Sequence, residues 1–525
     1  MHKSLRIPEI LLHICAFADD RTLAVLARCC SPFHECATQV LWHHLRSLAP
    51  LVRCFLSDMW RERGGELEFL RPPGPKDWPR VLHYSRHVRR LERDLFDKAS
   101  LPKLHPQVLW MIAALKPGLV LLPNLRRFAW THWSCIPTEC IPALLSLFPA
   151  DVRHIALGEM SYLPDILQSI SSYITDKFIS LDCLKLTFAF SGISAPELSL
   201  PLLTHSLTQL HRGSDISFDK ESFNILSQLP NLRSLSCMLP DIRSLSSSAG
   251  DSVSVPFPAL QTLHITATTH CYSAFTEIAS LQGVHTVQLT FTEVVTVQQL
   301  PLLFAAIRRQ FSPSTLTSLT VLVTHRADTE RLILVPSHMS PLLKFRRLLV
   351  FNLRVHGELR LDDEACSEMA HAWPHIQSLT ITSSHPLTDD IHGLPTLEGL
   401  VPFAVLCPHL AYLKIRFNAQ DIQQTTLSFP HRLERPSLTN LYVYCCPISR
   451  PDSVAAFLAR MFPRLTCVLA YDFRNTGSRG REWKKNWEEV QRYLPLFARI
   501  RADERQWVAV ERESEAGRRI RSVDQ

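Results

Sequence analysis

Pro436-Ser437-Leu438-Thr439-Asn440-Leu441-Tyr442-Val443-Tyr444 is the stretch whose reading decides the fold. Its apolar residues follow the order apolar-x-x-apolar-x-apolar, which ends in the two-residue alternation of a half-buried strand. Pro436, two positions before the first apolar residue, ends any preceding helix and forces an extended entry. The same order begins at Leu125, Val152, Leu181, Leu207, Leu232, Leu260, Val284, Leu316, Phe345, Ile376, Leu410 and Leu465. With Leu438 these starts recur at a mean step of about 28 residues, the signature of stacked structural repeats. Proline stands two positions ahead of the start again at Pro123, Pro230, Pro258, Pro374, Pro408 and Pro463. Segments between the starts, such as 222–229 and 454–461, carry helical spacing. A strand–helix unit of this kind buries its apolar side only against its neighbours.

Composition agrees with a packed repeat. Leucine fills 80 of 525 positions, hydrophobic residues make up 46% and charged residues 20%. Glycine (15) is less than half as common as proline (36), so turns are set by fixed φ rather than by left-handed backbone. Neither a G-x-G-x-x-G nor a Walker-type phosphate loop occurs. The period lies within the range of leucine-rich repeats, whose usual Asn or Cys eight residues after the first leucine is present cleanly only as Asn418 and Cys446. The expected fold class is therefore α/β: an irregular leucine-rich-repeat solenoid, a curved parallel sheet with helices on its convex side. An α/β fold of unequal βα units is the alternative reading. The net charge of +7 comes without a basic run or basic–aromatic array, so no nucleic-acid partner is expected. Fifteen cysteines without paired spacing suit reduced thiols, and no signal peptide or apolar run of membrane-spanning length is evident. These features predict an intracellular protein, cytoplasmic or nuclear, without a membrane partner.

The first fifty residues follow a different rhythm. Ile7, Ile10, Leu11, Ile14, Phe17 and Ala18 recur at helical steps, with Pro8 suited to a first turn. Asp20 is placed to cap a second helix carrying Leu23, Leu26, Ala27 and Cys30. Ser31-Pro32 opens a third, whose face runs Phe33, Cys36, Ala37, Val40, Leu41, His44, Leu45, Leu48. Three helices of this size bury too little surface to stand comfortably alone. Ile7-Pro8-Glu9-Ile10-Leu11-Leu12-His13-Ile14, Leu23-Ala24-Val25-Leu26-Ala27-Arg28-Cys29-Cys30 and Val40-Leu41-Trp42 together resemble an F-box. With the repeats behind it, the chain resembles fungal-type F-box proteins with a C-terminal leucine-rich-repeat domain. Ile7 stands where that family usually has Leu, and one residue is missing after Pro8. The resemblance implies docking on a Skp-type adaptor, which bridges to a cullin–RING ubiquitin ligase, through Pro8, Ile10, Leu11, Ile14, Leu26, Leu41 and Trp42.

The expected domains are an F-box-like helical domain at 1–50, a linker and divergent first repeat at 51–120, the solenoid at 121–472, and a charged cap and tail at 473–525. In the tail Trp483, Trp487, Val490 and Leu494 share a helical stripe suited to capping the last repeat, with the final dozen residues expected to be disordered. Cys29, Cys30, His34, Cys36, His43 and His44 match no zinc spacing, so no metal or other cofactor is expected. Serine elbows and H-E-x-x-H are absent, and Asp362-Asp363-Glu364 reads as a helix cap, so no catalytic activity is expected. Third, fifth and seventh positions of each repeat point away from the core. In the C-terminal repeats they are Tyr412, Lys414, Arg416, Asn440, Tyr442, Tyr444 and Tyr471, residue types enriched in binding hot spots. They form a candidate client-binding face favouring an acidic or phosphorylated segment. The resemblance implies the substrate-recognition subunit of a Skp–cullin–F-box type ligase; the alternative is a repeat scaffold for protein interaction without ligase association.

Overall fold

The structure, a computed structural model, describes residues 7–92, 102–130, 138–160, 164–188, 207–212, 225–239, 257–278, 281–293, 295–323, 332–383, 393–420, 436–444, 446–471 and 478–523. Two compact units divide the chain: Met1–Ala249 with Val255–Leu260, and Gly250–Ser254 with Gln261–Gln525.

The first unit opens with helices α1 (Pro8–Ala16), α2 (Asp20–Leu26) and α3 (Ser31–His43). Seven strands then pair in parallel and in chain order: His44–Leu45, Arg90–Glu92, Arg127–Trp130, His154–Met160, Cys183–Phe188, Gln209–Arg212 and Ser234–Met238. Helices Pro106–Leu115, Ile141–Leu145 and Pro164–Lys177 lie between them in sequence. Beside this ladder, Trp60–Arg63 and Glu66–Phe69 form an antiparallel hairpin. Gly64 and Gly65 both take positive φ (60° and 80°) at its turn, as a two-residue type I′ hairpin requires.

The second unit pairs eight parallel strands: Thr262–Ala267, Thr286–Phe291, Ser318–Val323, Val350–Val355, Ser378–Ser383, Tyr412–Lys414, Asn440–Tyr444 and Cys467–Tyr471. Side chains alternate between half-buried and buried along them, as in Thr286–Phe291 and Ser318–Val323. The inward positions line up across the ladder: Leu263, Val287, Leu319, Phe351, Leu379, Leu413, Leu441 and Val468 are register partners in turn, and all are buried. Helices such as Gln299–Gln310, Asp363–Ala372 and Pro451–Met461 return the chain to the next strand. Asp362 caps the second of these by accepting from Ala365 N at 2.8 Å, and Asp363 accepts from Thr396 N and Oγ1 of the following repeat. Cys446 fills the asparagine slot in substance: Phe417 N donates to its Sγ at 3.4 Å.

An observed strand begins two residues after each predicted start, with one exception. Phe345 opens no strand; it is buried at the end of the turn Leu342–Lys344, and the strand is Val350–Val355, so the repeat starts at Leu348. The run Phe345–Leu353 holds two overlapping copies of the same apolar order, and the later one supplies the inward pair Phe351 and Leu353. Near the N-terminus, Asp19 rather than Asp20 caps α2, accepting from Thr22 N at 2.8 Å. Cys30 rather than Ser31 occupies the N-cap of α3. That helix stops at His43, because His44–Leu45 leaves it to pair with Arg90–Leu91.

The last strand, Cys467–Tyr471, ends the second ladder, and the long helix Ser478–Val523 covers it. Trp487 Nε1 donates to Cys446 O at 2.8 Å, and its ring meets Phe417 edge-on at 5.7 Å. Val490 and Leu494 are buried with it. Gln491 accepts from Val468 N and donates to Thr466 O, taking up backbone groups that a further strand would otherwise pair. The final residues, expected to be disordered, continue this helix to Val523. Trp487→Ala is expected to lower the unfolding free energy by about 3–5 kcal/mol. Trp507→Ala, at a side chain 73% exposed on the same helix, should stay within about 0.5 kcal/mol. Urea denaturation of the two variants checks both.

Candidate functional site

Helices α1 to α3 close on a small core: Leu11, Cys15, Leu23, Cys36 and Ala37 are buried, with Leu12, Leu26, Phe33, Val40 and Leu41 packed against them. Pro8 at the first turn of α1 and Pro32 near the start of α3 fix where these helices begin. The core uses only one side of α1. Ile7, Ile10, Ile14 and Phe17, spaced three, four and three residues apart, form a second stripe facing solvent, with Ile14 41% and Phe17 80% exposed. Val25 on α2 is exposed as well. The His13 ring packs edge-on against Phe17 at 5.1 Å.

The seven residues singled out by the F-box resemblance fall into three settings. Pro8, Ile10 and Ile14 face solvent. Leu11, at 1% exposure, lies in the core, and Leu26 and Leu41 pack on it half-buried. Trp42 is stacked on Tyr84 of the helix Pro79–Ser85, rings 4.5 Å apart and 17° from parallel. It therefore joins the helical domain to the first repeat. Ile7, Phe17 and Val25 were not among the predicted contacts. The helical phase of α1 was the signal for the first two, since it sets them beside Ile10 and Ile14.

A second candidate face lies on the C-terminal strands. Tyr412 is the register partner of Asn440, and Lys414 of Tyr442. The rings of Tyr412 and Tyr442 sit 4.5 Å apart, and Lys414 Nζ lies over the Tyr442 ring at 5.9 Å. Arg416 is half-buried just beyond the strand end, between buried Ile415 and Phe417. Tyr444 and Tyr471 are register partners on the next strand pair, and their side chains lie outside the described residues. Burial, and then the Arg354 guanidinium, hold the Lys414 ammonium below the ordinary lysine range. Arg354, missed because its repeat was read from Phe345, thus belongs to this face. Among the described residues of the eight-strand ladder no carboxylate shares the outward side, which carries Thr262, His264, Gln288, Thr320, Asn352, Arg354, Thr380 and Lys414.

Among the described residues no group of three or more His, Cys, Asp or Glu is placed to hold a metal ion, and no helix is long and apolar enough to cross a membrane. No curated protein matches the sequence. Among solved structures the chain is similar to one chain of the crystal structure of the Rad7 and Elc1 complex in yeast, at 14% identity over 91% of this chain and 90% of that one, with a TM-score of 0.32. Residues 8–47 match the family model described as F-box-like. The helical module α1–α3 is therefore an F-box-like domain, followed by a parallel-strand α/β repeat array.

Proposed function

We propose that the chain is the substrate-recognition subunit of a Skp–cullin–F-box type ubiquitin ligase. The F-box-like helices dock the adaptor, and the repeats hold a client protein. The observation that carries this reading is the apolar stripe Ile7, Ile10, Ile14 and Phe17, exposed on a domain whose own core is already closed. A contiguous apolar surface of this kind marks an interaction site. The work is positional: holding client and conjugating enzyme on one frame makes transfer quasi-intramolecular, and the chain needs no catalytic residue of its own.

The client face is the tyrosine–lysine array. The adjacent, mutually tilted rings of Tyr412 and Tyr442 offer rigid apolar area with polar tips, the property that makes tyrosine frequent in hot spots. Arg354, Lys414 and Arg416 supply positive charge to this face. An acidic or phosphorylated client segment fits that face.

Co-expression with a Skp-type adaptor tests the first part. The double variant Ile10→Lys/Ile14→Lys should lose the adaptor on co-purification while its melting temperature stays that of the parent. Leu11→Ala should instead lose about 2–5 kcal/mol of stability, because it empties core volume. Retention of adaptor by the double variant would exclude this stripe as the contact, and failure of the parent chain to capture adaptor would remove the ligase reading and leave a repeat scaffold. For the client face, proteins co-purifying with the full chain are identified by mass spectrometry. Tyr442→Ala and Lys414→Ala should deplete the same acidic or phosphorylated subset, and an unchanged set would exclude this face.

A further inference from the structure

Three consecutive repeats of the first unit enter their strands through the same pair of basic residues: Val88-Arg89-Arg90-Leu91, Leu125-Arg126-Arg127-Phe128 and Val152-Arg153-His154-Ile155. The backbone shows that this is one structural position repeated. Arg89 O accepts from both Arg126 N and Arg127 N, and Arg126 O accepts from both Arg153 N and His154 N. These basic residues therefore stack at successive corners, one strand spacing of about 4.8 Å apart. Two of them are neutralised: Arg126 pairs with Asp151, and Arg127 Nε with Glu92 at 2.9 Å. Arg89 makes no ion pair among the described residues.

Beside Arg89 opens a cleft of about 230 Å³ lined by Gln39, Arg86, His87, Arg89 and Asn124. It brings α3 of the F-box-like domain against the first two repeat corners. Asn124 Nδ2 donates to Arg86 O at 2.7 Å, which fixes the turn carrying Arg86 to the next corner. Arg86 Nε donates to His87 Nε2 at 3.3 Å, while its Nη groups have no partner among the described residues. Among the described residues no carboxylate lines the cleft. Burial first, and then Arg86 and His83, hold the His87 imidazole below its ordinary range, with only Glu35 pulling the other way. His43 is held down in the same sense by burial, then by Arg90, Arg89 and His44. Positive potential thus accumulates where the walls carry neutral amides and two guanidinium groups.

We infer that this cleft binds a small, multiply charged phosphate compound. Guanidinium forks match phosphate oxygens bidentately, and the two amide side chains complete a set of donors. The volume is below the range of about 300–1,000 Å³ typical of drug-sized ligands, so it suits one or two phosphate groups rather than a large organic body. Since α3 contributes Gln39 and the repeats contribute Arg86, Arg89 and Asn124, an anion held there ties the F-box-like helices to the first repeats.

The probe is pyrophosphate, titrated calorimetrically into the full chain at low salt. The expected result is saturable one-site binding with a Kd below about 1 mM. Arg86→Ala/Arg89→Ala should weaken it at least about tenfold through loss of charge-assisted hydrogen bonds. Gln39→Glu, which removes no cation and places a carboxylate in the wall, should weaken it comparably, whereas Lys485→Ala, at an exposed position of the C-terminal helix, should not. The melting temperature of the parent should rise with pyrophosphate, and that of both cleft variants should not. Absence of saturable binding, or equal affinity in parent and both cleft variants, overturns the assignment.

Discussion

One constraint governs the rest of the molecule: an apolar row that no single repeat completes. In the second unit Leu263, Val287, Leu319, Phe351, Leu379, Leu413, Leu441 and Val468 touch in sequence, one per strand. Burying each such side chain is worth about 1.5–3 kcal/mol, and part of that burial comes from the neighbours on either side. Stability is therefore shared along the row, and an end strand lacks one of its two neighbours. The C-terminal helix answers that deficit in two ways. Trp487 fills the apolar end, and Gln491 takes up exposed strand backbone at Val468 and Thr466.

Because the inward row is fixed by packing, the outward side is left to composition. The same alternation that buries Leu413 and Leu441 sends Tyr412, Lys414, Asn440 and Tyr442 out together, so strand pairing alone assembles them. In the first unit, the turn position before each of three strands presents the basic pairs Arg89-Arg90, Arg126-Arg127 and Arg153-His154. Each functional candidate is a column of equivalent repeat positions rather than a set of residues gathered from unrelated loops.

That architecture also explains what was legible beforehand. The period and inward pattern were readable because strand entry and apolar order recur together, and Pro436 or Pro230 marks the corner. The frame was ambiguous only where a run of apolar residues, Phe345 to Leu353, satisfied the pattern twice, and that slip hid Arg354. In the helical domain the motif named a set of positions but not their sides. Leu11 and Ile10 are adjacent in sequence, yet one is core and the other surface, which packing decides. The partner of Trp42 was out of reach for another reason: Tyr84 lies far along the chain, and nothing in local periodicity announces a stack between them. The acids that neutralise Arg126 and Arg127 are equally non-local in origin, since they sit on other corners and strands.

The exit from α3 has a mechanical meaning. His43 ends the helix and His44–Leu45 is already a strand paired with Arg90–Leu91, so no flexible residues separate the F-box-like domain from the first rung. A flexible tether lets two bound objects search a volume that grows with its length. A welded joint behaves instead as a bracket. Whatever docks on α1 is presented to the first repeats at one distance and one orientation, so reach is set by the position of the bracket rather than by diffusion of a leash.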